Sequence, residues 1–200
     1  MRRINPVLFV LALFIAGFAI AYALVLAGGS PAHRAKPLIG GPFSLTDTEG
    51  KHVTDRDFRG KLMLVFFGYT NCPDVCPTEL QNMAEVLGKL GPAAAQVAPI
   101  FVSVDPERDR PAELATYVKN FDPRIVGLTG TSDEVASAAK AYRVYFRKAA
   151  GGPDNYSVDH SAFVYLMDRE GNYLTHFLFN TSPEAISQEI KKYLGEGNGS

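Results

Sequence analysis

Apolar residues fall into runs of three kinds along the chain. One run is long: residues 7–27, VLFVLALFIAGFAIAYALVLA, carry no charge. As a helix they would span about 30 Å, the thickness of a hydrocarbon core. Other runs are short and near-continuous: Leu62–Phe67, Val97–Val104, Ile125–Leu128 and Ala162–Met167. These read as strands, the first two so apolar that they predict burial on both faces. The third kind repeats at helical spacing. Leu80, Met83, Ala84, Leu87 and Leu90 form one such face, and Leu114, Tyr117, Val118 and Phe121 a second. Val135, Ala138, Ala139 and Tyr142 form a third, and Ile186, Ile190, Tyr193 and Leu194 a fourth.

Turn and capping residues separate these runs. Phe43–Leu45 and Lys51–Val53, joined by TDTEG, predict a short hairpin. Pro77 suits the first position of the helix that follows it, and Gly91-Pro92 stops that helix. Pro111 opens the next helix, Thr131 and Glu134 have capping-box spacing, and Ser182 followed by Pro183 starts the last. Val144–Phe146 reads as extended and RKAAGGPDN after it as a flexible loop. DREGN joins Ala162–Met167 to Tyr173–Phe179 as an antiparallel hairpin. Strand, helix, strand at the centre makes a βαβ unit with a parallel pair. The whole order is that of an α/β, thioredoxin-like fold with an N-terminal β-hairpin extension.

The domain organisation follows. Residues 1–6 form a short cytoplasmic N-terminus, 7–27 one transmembrane anchor, and 28–41 a flexible Gly- and Pro-rich tether. Residues 42–194 are the folded domain and 195–200 a disordered tail. A cleaved signal peptide is the rival for 7–27, but its apolar stretch is usually about 7–15 residues. No cysteine follows the segment, so no lipid is attached there. Arg2 and Arg3 are nearly balanced by Arg34 and Lys36, so the charge bias on orientation is weak. Either reading exports the domain, which gives a single-pass inner-membrane protein with its domain in the periplasm or another extracytoplasmic space. Lys plus Arg is 20 against 21 for Asp plus Glu, which excludes the basic stripe of a nucleic-acid binder.

The chemistry gathers between the first strand and its helix, in FFGYTNCPDVCPTEL. Cys72 and Cys76 are the only cysteines, too few for a disulfide scaffold. At a helix N-terminus, free N–H groups and the helix dipole favour anions. Both thiols are therefore expected to ionise readily. Thiolates attack disulfides, and they bind soft ions such as copper(I), for which imidazole is an acceptable further ligand. Of four histidines, His33 lies in the tether, His52 in the hairpin, and His176 alternates within a strand. His160 differs: it lies in a polar turn before a buried strand, beside Asp159, which could orient its ring. An ordinary loop histidine is the other reading. Asp74 is a poor match for copper(I). Asp105–Arg110, DPERDR, caps the next helix or frames the site mouth.

The segments FFGYTNCPDVCPTEL, SVDPERD and YSVDHS, together with the N-terminal anchor, resemble the Sco/SenC family of membrane-anchored copper-binding proteins. The resemblance implies one copper ion, Cu(I) or Cu(II), held by Cys72, Cys76 and His160. It implies a metallochaperone that assembles cytochrome c oxidase, delivering copper to the CuA subunit or keeping that subunit's thiols reduced. Another copper chaperone or a thiol reductase would be a second partner. The alternative is an extracytoplasmic thiol:disulfide oxidoreductase in which Cys72 and Cys76 are the redox pair. Reductases of this fold usually have CxxC and a cis-proline where His160-Ser161 falls here. A zinc site would want a fourth ligand.

Overall fold

A computed structural model describes residues 14–18, 22, 39–149, 151–152 and 156–195. The chain divides into two compact units, Met1–Lys36 and Pro37–Ser200. In the first unit residues 14–18 and 22 are helical and exposed. Among the described residues no helix is long and apolar enough to cross a membrane. The anchor expected at 7–27 lies mostly outside those residues, as do most of the tether and the tail beyond Gly195.

In the second unit the expected hairpin forms β1 (Ser44–Asp47) and β2 (His52–Thr54), followed by a 3-10 turn at Asp55–Phe58. Then come β3 (Leu62–Gly68), α1 (Val75–Leu90), β4 (Val97–Ser103), α2 (Pro111–Lys119), β5 (Val126–Thr129) and α3 (Ser132–Ala141). The chain ends with β6 (Phe146–Lys148), β7 (Val158–His160), β8 (Phe163–Met167), β9 (Tyr173–Leu178) and α4 (Pro183–Gly195). Residues 39–41, expected in the tether, belong to this unit. The Gly40 N–H donates to the Ala141 carbonyl at 2.9 Å. Gly40 has φ +86°, and a Cβ there would lie 2.3 Å from Met167 Cε.

Seven strands form one sheet in the order β2-β1-β5-β4-β3-β8-β9. β3, β4 and β5 are parallel; β1, β8 and β9 join antiparallel to their neighbours. Every residue of β3 and β4 is buried, as their unbroken apolar runs require of strands covered on both faces. α1 and α4 pack on each other. α1 buries Leu80, Met83, Val86, Leu87 and Leu90 at helical spacing, and α4 buries Ile186, Ile190 and Leu194. The Thr131–Glu134 capping box forms as the spacing predicts: Glu134 N–H donates to Thr131 Oγ1, and Glu134 Oε2 accepts from Thr131 N–H.

Two local expectations change. Arg147 and Lys148, expected in a loop, are paired in β6. His160, expected in a turn, closes β7. β6 and β7 form a separate two-stranded ribbon, with Phe146 opposite His160, and share no ladder with the main sheet.

Candidate metal centre

The carboxyl end of β3 carries the first half of the site. The chain leaves the sheet at Gly68 and turns through Tyr69–Pro73 into α1. A Cβ on Gly68 would stand 2.7 Å from Cys76 Sγ and 2.8 Å from Phe101 Cε2. A side chain is therefore excluded there, because the buried sulfur of Cys76 nests against the strand end. The helix begins at Val75, two residues before the position that Pro77 suggested. Pro77 occupies the third helical position, still within the first turn, where an N–H would have no carbonyl partner in the helix. Asp74 is the N-cap residue but makes no side-chain cap bond. Instead the Cys76 N–H donates to Cys72 Sγ at 3.4 Å, so a sulfur stands where a Ser or Asp oxygen usually caps.

The second half comes from β7. His160 Nε2 lies 3.4 Å from Cys76 Sγ. Its Nδ1 is 3.1 Å from the Ser161 carbonyl oxygen. With the proton on Nδ1 donated to that carbonyl, the Nε2 lone pair faces the sulfurs, the arrangement metal-bound imidazoles use. Tyr69 and Phe66 meet the imidazole edge-on, at 5.8 and 6.1 Å between ring centres. The ligand atoms of Cys72, Cys76 and His160 all lie within 4.8 Å of one another. With metal–sulfur and metal–nitrogen bonds of about 2.3 and 2.0 Å, as zinc makes, three trigonal ligands stand about 3.5–4.0 Å apart. The site needs to close by under an ångström. Two soft sulfurs, with an imidazole that copper also accepts, fit copper(I).

The two thiols are not alike, which corrects the expectation that both would ionise readily. The Cys72 pKa is lowered to about 5, first by the hydrogen bond from the Cys76 thiol, with backbone N–H groups of Cys76 and Asp74 assisting. The Cys76 pKa is raised well above the usual thiol range, first by that same bond to Cys72 and then by burial. One proton is shared by a pair of sulfurs at a helix mouth, and the half-buried sulfur keeps the charge.

Asp159 does not orient the imidazole. It is exposed and pairs with Arg147 at 3.3 Å, on the far side of the ribbon from the sulfurs. His52 and His176 are exposed, and His176 Nδ1 lies 2.6 Å from the Tyr173 hydroxyl; neither joins the cluster. His33 lies outside the described residues. The DPERDR turn frames the site; it also supplies the N-cap residue of α2, Arg110, though without a side-chain cap bond. Asp109 accepts from the Thr70 N–H at 2.9 Å, and also from the Thr70 and Ser103 hydroxyls. It thereby holds the loop that carries Cys72. Burial raises its pKa. Asp105 accepts from the Tyr156 hydroxyl at 2.7 Å and from Arg108 Nε. Tyr156 opens the YSVDHS segment, but its tie to Asp105 and Arg108 left no signal in the sequence, because those partners lie about 50 residues away.

A family model described as SCO1/SenC matches residues 31–195. The chain belongs to the SCO1/SenC family. The human "Protein SCO1 homolog, mitochondrial" is 43% identical over 165 residues, 81% of this chain. The chain spans 55% of that relative's length. The structure of Bradyrhizobium japonicum ScoI with copper bound is 48% identical and covers 78% of this chain and 99% of its own, with a TM-score of 0.73. BsSco is described as a Sco-family cytochrome c oxidase assembly protein with a disulfide switch. It is 26% identical at a TM-score of 0.62, over 78% of this chain and 95% of its own. The Sco likeness confirms the thioredoxin-like α/β fold read from the element order.

Proposed function

We propose that this chain is a copper carrier for cytochrome c oxidase assembly, with one copper ion as cargo held by Cys72, Cys76 and His160. The observation that carries this reading is the convergence of two sulfurs and an imidazole nitrogen within 4.8 Å, from elements 84 residues apart. Copper bound in a Bradyrhizobium relative 48% identical, and the assembly role stated for BsSco, support the choice of ion and process.

The residues divide the work. Cys72, half-buried and already a thiolate, meets an incoming soft ion first. Cys76 gives up its proton as it becomes a ligand, so loading releases that proton. His160 completes the site from the ribbon. Handover is ligand exchange: thiolates and imidazoles of the CuA-bearing subunit replace these three in turn. Joining Cys72 to Cys76 as a disulfide would release two electrons and the one proton the pair shares, and remove two ligands at once. The apolar run at 7–27 would anchor the chain in the inner membrane, its domain in the periplasm or another extracytoplasmic space.

The split thiol pair also favours a second reading, thiol:disulfide exchange. The Cys72 thiolate would attack a client disulfide and form a mixed disulfide. Cys76 would then displace the client, leaving the client with two thiols and this chain with the Cys72–Cys76 bond. Burial of Cys76 works against the second step, because its thiol must first lose its proton. Copper titration of the reduced protein against Cys72→Ala, Cys76→Ala and His160→Ala separates the two. The carrier reading expects each variant to lose affinity. Unchanged affinity in all three, with metal-free reduction of a disulfide substrate by the parent, would leave only the exchange reading.

A further inference from the structure

The two halves of the metal centre are built on different supports. Cys72 and Cys76 sit at the end of β3, inside the seven-stranded sheet, whereas His160 rides on the β6–β7 ribbon, which shares no ladder with that sheet. The place of the imidazole is therefore set by the short link from His160 to β8, by the Phe66 and Tyr69 rings, and by side chains of one turn. Arg108 Nε reaches Asp105 Oδ2 at 2.5 Å, and Arg108 Nη1 donates to the Tyr156 carbonyl at 3.0 Å. The Arg108 guanidinium carbon lies 3.7 Å from the centre of the Tyr156 ring. The Tyr156 hydroxyl closes the ring of contacts on Asp105. Beside it Lys148 of the ribbon pairs with Glu107 at 2.5 Å. The same turn carries Asp109, which grips Thr70 in the Cys72 loop. It thus ties the histidine half to the cysteine half.

Arg108 is the member that only an arginine can supply. Its side chain is 19% exposed, and one of its nitrogens, Nη2, is buried with no partner. A lysine in its place would keep the charge but lose the planar fork that reaches Asp105 and a carbonyl while stacking on a ring. The guanidinium also lies 5.9 Å from the centre of the Tyr69 ring, and Tyr69 meets the His160 imidazole edge-on.

We propose that Arg108 is a positioning residue for the metal centre. It clamps Tyr156, four residues before His160, and so sets the distance from the imidazole to the two sulfurs. The proposal rests on the three-ligand reading above. Arg108 touches neither copper nor its ligands; without it the ribbon drifts outward and the site falls back to two sulfurs.

The test is a coupling measurement on the full chain. Copper(I) affinity is read by competition with a coloured chelator, and copper(II) spectra are read for nitrogen coupling. Arg108→Met should weaken copper(I) binding by about 10- to 100-fold, the usual cost of losing a partner outside the ligand set. It should also erase the nitrogen signal. Arg108→Lys should fall between Met and the parent. In a His160→Ala background Arg108→Met should change affinity by less than about twofold, because the residue through which it acts is gone. Equal losses in both backgrounds, or none in the parent, would overturn the proposal. If Arg108→Met does not fold, Tyr156→Phe removes one hydrogen bond alone. Its smaller loss must likewise vanish with His160→Ala, and a loss that persists overturns the clamp. A His160→Ala protein with full affinity and unchanged copper(II) spectrum would sink the ligand set and the clamp together.

Discussion

β3 and the β6–β7 ribbon each support one half of the proposed metal site, and they are held in place by opposite means. β3 has a parallel neighbour on one side, an antiparallel neighbour on the other, and all seven residues buried. The ribbon strands are three residues each, and only Val158 of the six is fully buried. A strand fixed by ladders on both sides and a full core moves little. A short ribbon fixed by a few core contacts, from Phe146, Tyr156 and Val158, and a handful of polar ones can shift without unfolding the domain. The proposed carrier would need this combination. Its sulfurs would stay preorganised to take an ion, and its third ligand would leave when a partner's ligand arrives.

The largest effect that bears on this contrast is on stability. Phe67 in β3 is 1% exposed and packs against Tyr142 and Tyr165. Phe67→Ala should cost about 3–5 kcal/mol in urea unfolding. The half-buried Phe146 of the ribbon, opposite His160, should cost well under half as much when cut to Ala. Equal costs would mean that the ribbon is as integral as the sheet, and the contrast would fail.

Next in size is the junction between strand and sulfur. Gly68→Ala places a methyl group where Cys76 Sγ and the Phe101 ring already stand. Overpacking of this kind costs about 1–3 kcal/mol. Because the Cys76 sulfur must give way, copper affinity should fall together with stability. A variant with normal stability and normal copper binding would show that the strand end yields more readily than its packing implies.

What the sequence made legible follows the same division. The runs of β3 and β4 and the apolar faces of α1 and α4 announce themselves, because burial on a regular element leaves a period in the chain. The Thr131–Glu134 box was equally plain, since both partners lie within one turn. The ribbon left no such trace. Phe146-Arg147-Lys148 and Val158-Asp159-His160 are too short for a period, and their support comes from Arg108 and Asp105, some 50 residues away. Cys72, Cys76 and His160 could be singled out by residue type, motif and resemblance. The unequal ionisation of the two thiols could not, because it depends on the approach of one sulfur to the other. Nor could the direction of Asp159, which adjacency to His160 suggested wrongly: neighbours on a strand point to opposite faces.

That unequal ionisation has a kinetic consequence. With a pKa of about 5, Cys72 is nearly all thiolate at pH 6, where an ordinary thiol of about 8.5 is under about 1% ionised. Lower basicity reduces intrinsic nucleophilicity, with a Brønsted slope of about 0.4–0.5. The net gain is about tenfold in alkylation rate at pH 6 over the unfolded chain. The sign is that of a depressed group: the thiolate's contribution to stability is present above the ordinary thiol pKa and is lost as pH falls through about 5. Iodoacetamide labelling followed by mass spectrometry across pH 4 to 9 should show Cys72 reacting on a curve centred near 5, with Cys76 protected. Two equal curves near pH 8.5 would erase the asymmetry between the sulfurs.

The smallest expected effect is the most direct check on which face of the ribbon matters. Asp159 and Arg147 form an exposed pair at 3.3 Å on the side away from the sulfurs. Such surface pairs contribute about 0–1 kcal/mol. Asp159→Ala should therefore shift unfolding by less than about 1 kcal/mol and leave copper affinity within about twofold of the parent. The orientation of His160 comes instead from the Ser161 carbonyl, which no side-chain substitution removes. A tenfold loss of affinity in Asp159→Ala would mean that the carboxylate does reach the imidazole when copper is bound. The ribbon would then have to rotate on loading, and its two faces could not be the fixed inside and outside described here.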